Sequence, residues 1–247
     1  MPNILTVELV EQLQQAAEAG MPVETFIGAL TDATLPGLLE YGCAKLHCRV
    51  LPELPPTIIS SDVGLALSEI RSVIGLRANG DQKSPSGSMA PQKFEFIALE
   101  GENSTVNKDW DEYLLRFRQS AKSVGFSMNE AVALAASLGE MTDNATVHSK
   151  SPSILVGYQA IEGVALCCIV DVGIGVLDSL KSHEAYGNLS QHKDAIRIAL
   201  QQGESCLGPK SGGGNGFNNV FKALAATWGT LRFRSGEGRV SMGWSRT

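Results

Sequence analysis

The chain has 247 residues, 43% of them apolar and 19% charged, enough for one large domain or for a medium domain with a smaller companion. That apolar fraction builds a core and excludes a wholly disordered protein. Lys plus Arg number 20 against 26 Asp plus Glu, a net charge of −6, which argues against a nucleic-acid binder working through a broad basic face.

The acidity is uneven. Residues 1–90 hold 5 basic and 10 acidic groups, net −5, leaving 15 and 16 for the remainder, net −1. This predicts a mostly solvated, acidic N-terminal region ahead of a near-neutral domain. The first basic residue is Lys45, so the N-terminus lacks the charged head of a secretory signal. The longest uninterrupted apolar run, Val164 to Val170, is too short to span a bilayer, and no membrane partner is expected. Five cysteines (Cys43, Cys48, Cys167, Cys168 and Cys206) form neither an even framework nor a C-x-x-C knuckle. Cys167 and Cys168 lie in an apolar strand, where a buried thiol acts as a small hydrophobe. A reduced, cytoplasmic protein is expected.

Leu5, Leu9 and Leu13 recur at helical spacing within 4–19, and Gly20 follows as a stop. A second apolar stretch runs from Val23 to Cys48, and Leu51-Pro-Glu-Leu-Pro-Pro56 reads as an extended connector. A third helical piece is expected over Ile58 to Leu76. Asn79 to Gln92, rich in Gly, Ser, Pro and Asp, marks a domain boundary. The expected division is a mainly helical region over 1–90 and a second domain over 91–247. Phe94, Phe96 and Ile97 read as a strand. Trp110, Leu114, Phe117 and Ala121 make one apolar helix face. Ser127-Met-Asn-Glu130 is a capping box opening a helix with Leu134, Leu138, Met141 and Ala145 inward. Ser153 to Ala160 and Val164 to Val170 form a hairpin turned near Glu162-Gly163, the second strand buried on both faces. A polar stretch of about thirty-five residues, with one helical piece around Asp194 to Leu200, exceeds common loop lengths and reads as a lid. Gly212-Gly-Gly-Asn-Gly216 opens a helix through Phe217, Val220, Phe221 and Leu224. A last hairpin turns at Ser235-Gly-Glu-Gly238, with Trp228 and Trp244 packing near its strands.

Three constellations carry chemistry. Glu140 and Asn144, four apart, project from one helix face about 5–6 Å apart at Cβ. A carboxylate beside an amide oxygen suits a water polarised next to Mg²⁺, and it also suits an ordinary polar pair on a solvated face. Asp171-Val-Gly173-Ile-Gly175 follows an apolar strand, so the carboxylate can accept from an adenine amino group while the glycines admit a close ligand; a tight turn capped by Asp has the same spelling. Successive glycines at 212–216 offer backbone N–H groups and a helix N-terminus to phosphate, or form a flexible linker.

In this order the three motifs resemble the GHKL ATPase superfamily, which takes in DNA gyrase B, the heat-shock 90 chaperones, histidine kinases and MutL. Glu140-x-x-x-Asn144-Ala-x-x-His148-Ser149 resembles its N box, Asp171-x-Gly173-x-Gly175 its first glycine box, and Gly212-Gly-Gly-Asn-Gly216-Phe217 its second. The likeness covers about residues 93–245. It implies an α/β fold, the two-layer Bergerat-type sandwich of a mixed β-sheet with helices on one face, binding ATP and Mg²⁺ under a mobile lid. It further implies that Asn144 coordinates Mg²⁺ and that Glu140 orients or deprotonates the attacking nucleophile. Asp171 would read the adenine amino group, Gly173 and Gly175 would shape that pocket, and Gly212, Gly213, Gly214, Asn215 and Gly216 would hold the phosphates. The chain departs from the histidine-kinase pattern at Gly238-Arg239, where a Gly-Thr pair is usual, and at Thr146, where a lysine is frequent; Lys150 and Lys210 are candidate substitutes.

Among His47, His148, His183 and His192, none has the flanks of a phosphoacceptor on a dimerising helix. A domain ending after the last hairpin is similar to the stand-alone anti-sigma-factor serine kinases, in which ATP phosphorylates a partner's hydroxyl. Residues 1–90 depart from that compact pattern and would bind a partner, form a homodimer or cover the sheet. Two functions follow: transfer of the ATP γ-phosphoryl to a partner Ser/Thr or to water, or a non-catalytic, ATP-dependent switch that binds a protein partner.

Overall fold

The computed structural model describes residues 4–47, 51–55, 58, 91, 94–100, 108–161, 163–201 and 216–244. Most of the helical piece expected over 58–76, and the boundary at 79–92 except Pro91, lie outside the described residues.

The N-terminal region begins with β1 (Ile4–Leu5), paired in parallel with β2 (Asp32–Ala33). Leu5, expected within the first helix, therefore belongs to a strand. Helix α1 (Val7–Glu18) starts one turn later, because the Thr6 hydroxyl accepts from Leu9 N at 3.3 Å and caps it. The chain leaves α1 through Gly20 at φ +74°, the left-handed conformation that glycine adopts without a Cβ penalty. Helices α2 (Glu24–Gly28) and α3 (Leu35–His47) follow. Val10, Leu13, Ile27 and Leu38 are buried in one core, which Leu51 and Leu54 of the Pro-rich connector complete. The described part of the region thus has a hydrophobic core of its own. Its charge balance describes the outer faces of amphipathic helices, whose inner faces carry the leucines.

The central sheet runs β3 (Phe94–Glu100), β4 (Ser153–Ile161), β5 (Val164–Asp171), antiparallel throughout, with the β4–β5 turn where the sequence placed it. One face is covered by α4 (Lys108–Ser123) and α5 (Met128–His148), whose Trp110, Tyr113, Phe117 and Leu138 pack on Val156 and Tyr158. The capping box forms: Glu130 N donates to Ser127 Oγ at 3.3 Å and Ser127 N to Glu130 Oε2 at 2.8 Å. The other face carries the N-terminal helices, since Leu155 of β4 is part of their core and Phe96, Cys168 and Val170 pack against it. Helices following β3 thus cover one face of the sheet and the N-terminal helices the other. A buried ion pair fixes α4 to the sheet. Arg116, 2% exposed, donates from Nε to both oxygens of Glu95 at 2.9 and 3.0 Å, and the Tyr158 hydroxyl donates to Glu95 Oε2 at 2.9 Å.

Strand β5 differs from expectation. It was read as buried on both faces, yet Val164 is 50% exposed and Cys167 is exposed. Among the described residues, no strand pairs with its second edge. The polar stretch that follows contains more structure than a lid of one helical piece. Helix α6 (Gly175–Lys181), a 3-10 turn (Glu184–Tyr186) and α7 (His192–Ala199) share a small core of Leu177, Leu180, Tyr186 and Ala195. Helix α8 (Gly216–Thr227) packs along α5 and leads into the hairpin β6 (Thr230–Ser235) and β7 (Gly238–Gly243), a sheet separate from the first. Phe217 meets Phe233 edge-on at 5.4 Å and Phe221 meets Trp244 at 5.8 Å, holding α8 to the hairpin. Trp244 packs as expected; Trp228 is 50% exposed at φ +55°. The whole is a mixed α/β fold. Among the described residues no helix is long and apolar enough to cross a membrane.

Candidate functional site

A cleft of about 1280 Å³ separates β5 from the hairpin. Every residue from Gly163 to Val176 and from Gly229 to Gly236 lines it. Successive residues of a strand point to opposite faces, so a strand that meets one cavity with all of them presents its edge. The cleft is therefore a slot between β5 and β6, walled by Leu138 and Met141 of α5, Leu224 of α8, and Thr6, Pro36 and Glu40 of the N-terminal region.

Of the residues singled out in the sequence, Asn144, Asp171, Gly173 and Gly175 line this one cleft. Asn144 is half-buried, and its amide makes no hydrogen bond to a described residue. Glu140, one helical turn earlier, is half-buried but is not part of the lining. Gly212, Gly213, Gly214 and Asn215 lie outside the described residues; Gly216 is the first residue of α8.

The Asp-x-Gly-x-Gly turn has a local physical explanation. Asp171 Oδ1 accepts from Gly173 N at 2.9 Å, closing an Asx turn directly after β5. Ile174 N then donates to the Ser149 carbonyl at 2.7 Å, drawing the turn against the C-terminus of α5. At Gly173 a Cβ would fall 2.6 Å from the Ser149 carbonyl carbon and 2.7 Å from its Cβ, so only glycine fits. Gly175 sits at φ +73°, and Val176 N donates to Ser235 Oγ at 2.8 Å, which brings the end of β6 to the same turn. Asp171 is partly withdrawn from water, and this desolvation raises its carboxyl above the usual range, partly offset by the Gly173 N–H. His148 also lines the cleft, and desolvation lowers its imidazole below the ordinary value.

Cys167 and Cys168 line the slot rather than a closed core, and solvent reaches both. Desolvation by the neighbouring protein nevertheless raises both thiols above the ordinary value. The substitute lysines are not at the cleft: Lys150 is exposed at φ +54° outside the lining, and Lys210 lies outside the described residues. Thr146 turns its hydroxyl back to the Thr142 carbonyl at 2.7 Å.

The cleft also contains groups that motif reading missed. Arg232 and Arg234 of β6 line it, as does Glu40 of α3. The alternation Arg232-Phe-Arg234 was visible as two basic residues on one strand face. Their partners, Glu11 and Glu40, lie some two hundred residues earlier, and no sequence pattern connects them. Among the described residues no group of three or more His, Cys, Asp or Glu is arranged to hold a metal. A second, smaller cavity of about 420 Å³, between α4 and α5, contains none of the expected residues. Comparison of the chain with protein-family models, with curated proteins and with solved structures finds no match.

Proposed function

We propose that the slot is a nucleotide site and that residues 91–247 form a Bergerat-type ATP-binding domain of the GHKL kind, acting on a protein partner. The observation that carries this reading is the convergence of Asn144, Asp171, Gly173 and Gly175 on one cleft, from the end of a helix and the end of a strand. Gly173 N–H engages one oxygen of Asp171. The other remains able to accept from an exocyclic amino group, and a carboxylate short of water forms a strong bond of that type. Mg²⁺ bound to a nucleotide keeps most of its shell as phosphate oxygens and water, so one protein oxygen suffices. The unpartnered Asn144 amide fits that requirement. Bound Mg·ATP would supply an electrophilic γ-phosphorus with its charge partly neutralised. Glu140 would orient or deprotonate the accepting hydroxyl, of a partner Ser/Thr or of water. The free thiols Cys167 and Cys168 suit a reducing compartment such as the cytoplasm.

A second reading is favoured by the position of Glu140 outside the cleft lining. In it the protein binds ATP without turnover, and the bound nucleotide biases a surface that a protein partner, or a second copy of the chain, recognises. Calorimetric titration of Mg·ATP and a non-hydrolysable analogue into wild type and Asp171→Asn tests the shared premise: binding by wild type that is lost in the variant is expected. Phosphate release by wild type and Glu140→Ala then separates the readings. Turnover lost in Glu140→Ala with binding retained supports phosphoryl transfer, and binding without turnover in either supports the switch. A folded wild type that binds neither nucleotide refutes both.

A further inference from the structure

Apart from its two histidines, the described lining of the slot contains two cationic side chains, Arg232 and Arg234. They lie on one face of β6, all of whose residues line the slot. Both are already engaged. Arg234 Nη1 lies 2.6 Å from Glu40 Oε1, and Arg232 Nη2 lies 3.7 Å from the same oxygen. Arg232 also pairs with Glu11, and Arg239 Nη1 of β7 lies 3.3 Å from Glu11 Oε1. Three guanidinium groups thus share two carboxylates. The Nε of Arg232 is buried with no acceptor among the described residues. A guanidinium offers five donors in a fork that suits phosphate oxygens, so this network has donors in reserve.

We propose that Arg232 and Arg234 form the polyphosphate-binding subsite of the slot, and that Glu11 and Glu40 occupy it when no anion is bound. The inference rests on the nucleotide reading only for the identity of the anion. Helices α1 and α3 supply those carboxylates, so anion binding and docking of the N-terminal helices draw on the same guanidinium groups. The two are negatively coupled, and linkage makes the coupling reciprocal. Residues 1–90 would then report on nucleotide occupancy, the acidic helices acting as an internal competitor for the arginines.

The test is calorimetric titration of inorganic tripolyphosphate into the full chain, with circular dichroism confirming that each variant is folded. The double variant Glu11→Gln/Glu40→Gln, which keeps shape and removes competing charge, is expected to bind at least tenfold more tightly than wild type. Arg232→Gln/Arg234→Gln is expected to lose at least tenfold, and Arg232→Lys/Arg234→Lys to fall between. Unchanged affinity in a folded Arg→Gln variant overturns the proposal. So does failure of the Glu→Gln variant to bind more tightly, which decides the matter even if the Arg→Gln variant does not fold. Adenosine, which has no phosphate, is titrated in parallel into wild type and Asp171→Asn. Loss of that arm alone refutes the nucleotide reading and leaves the anion subsite standing, whereas loss of the tripolyphosphate arm alone refutes only the subsite.

Discussion

Replacing Gly173 with alanine would drive a methyl group into the backbone at the end of α5. The new Cβ would lie 2.6 Å from the Ser149 carbonyl carbon, against an ordinary contact of 3.4–4 Å, so turn and helix end must separate by about 0.8 Å or more. Ser149 is buried and its carbonyl accepts from Ile174 N at 2.7 Å, so relieving the clash breaks this bond. Overpacking of this kind costs about 1–3 kcal/mol. A lost hydrogen bond adds about 0.5–1.5 kcal/mol net. The expected total is about 2–4 kcal/mol. Gly175→Ala provides the internal comparison. It faces a left-handed backbone penalty of about 1–2 kcal/mol, and its nearest obstacle is the Ser235 hydroxyl, a side-chain atom. Urea unfolding followed by circular dichroism should show a lower midpoint with unchanged slope for both variants, and the larger shift for Gly173→Ala. Adenosine affinity should fall with Gly173→Ala, because Asp171 is held by Gly173 N–H. A Gly173→Ala protein within about 0.5 kcal/mol of wild type would refute the steric reasoning, since the turn would then not lie against the helix end.

Glu95→Ala should destabilise the fold by about 3–5 kcal/mol, because it removes the carboxylate that holds the buried Arg116 guanidinium at close range, whereas Glu95→Leu/Arg116→Met should cost much less than the sum of the single changes; additive denaturation results would show that the pair does not couple. Desolvation raises the Asp171 pKa on folding, so its ionisation weakens the native state as pH climbs from the ordinary carboxylate range through the raised value. Asp171→Asn should accordingly be more stable than wild type at pH 7, with the difference vanishing below the unfolded pKa near 3.8. Thermal midpoints across that range check this, and a less stable variant at pH 7 would contradict it.

Much of the fold was legible because it is local. The Ser127–Glu130 box, the β4–β5 turn at Gly163 and the last hairpin each depend on residues within a few positions of one another. The apolar face of α4 was read correctly, but the charge buried within it was not, because nothing near Arg116 announces that Glu95 will meet it across the sheet. Strand β5 was misread for a related reason. An apolar run predicts that water is excluded from its faces, but it cannot say whether a neighbouring strand covers its edge. At the cleft, Asn144, Asp171 and the two glycines belong to motifs legible in the sequence, whereas Arg232, Arg234, Glu11 and Glu40 come together only through tertiary packing. The N-terminal helices could not be placed in advance. Their leucines specified an inner face without naming the surface it would meet, which proved to be the face of β4 bearing Leu155.

The edge of β5 that no described strand pairs with bears on how the protein is best divided for experiment. A fragment beginning at residue 91 would strip Leu155, Phe96 and Val170 of their cover while leaving the Val164–Asp171 edge unpaired. An apolar strand open along both a face and an edge is a template for intermolecular pairing, and such fragments self-associate. The N-terminal helices would thus act as a cover for the sheet, and the part that contains the motifs is best studied together with them.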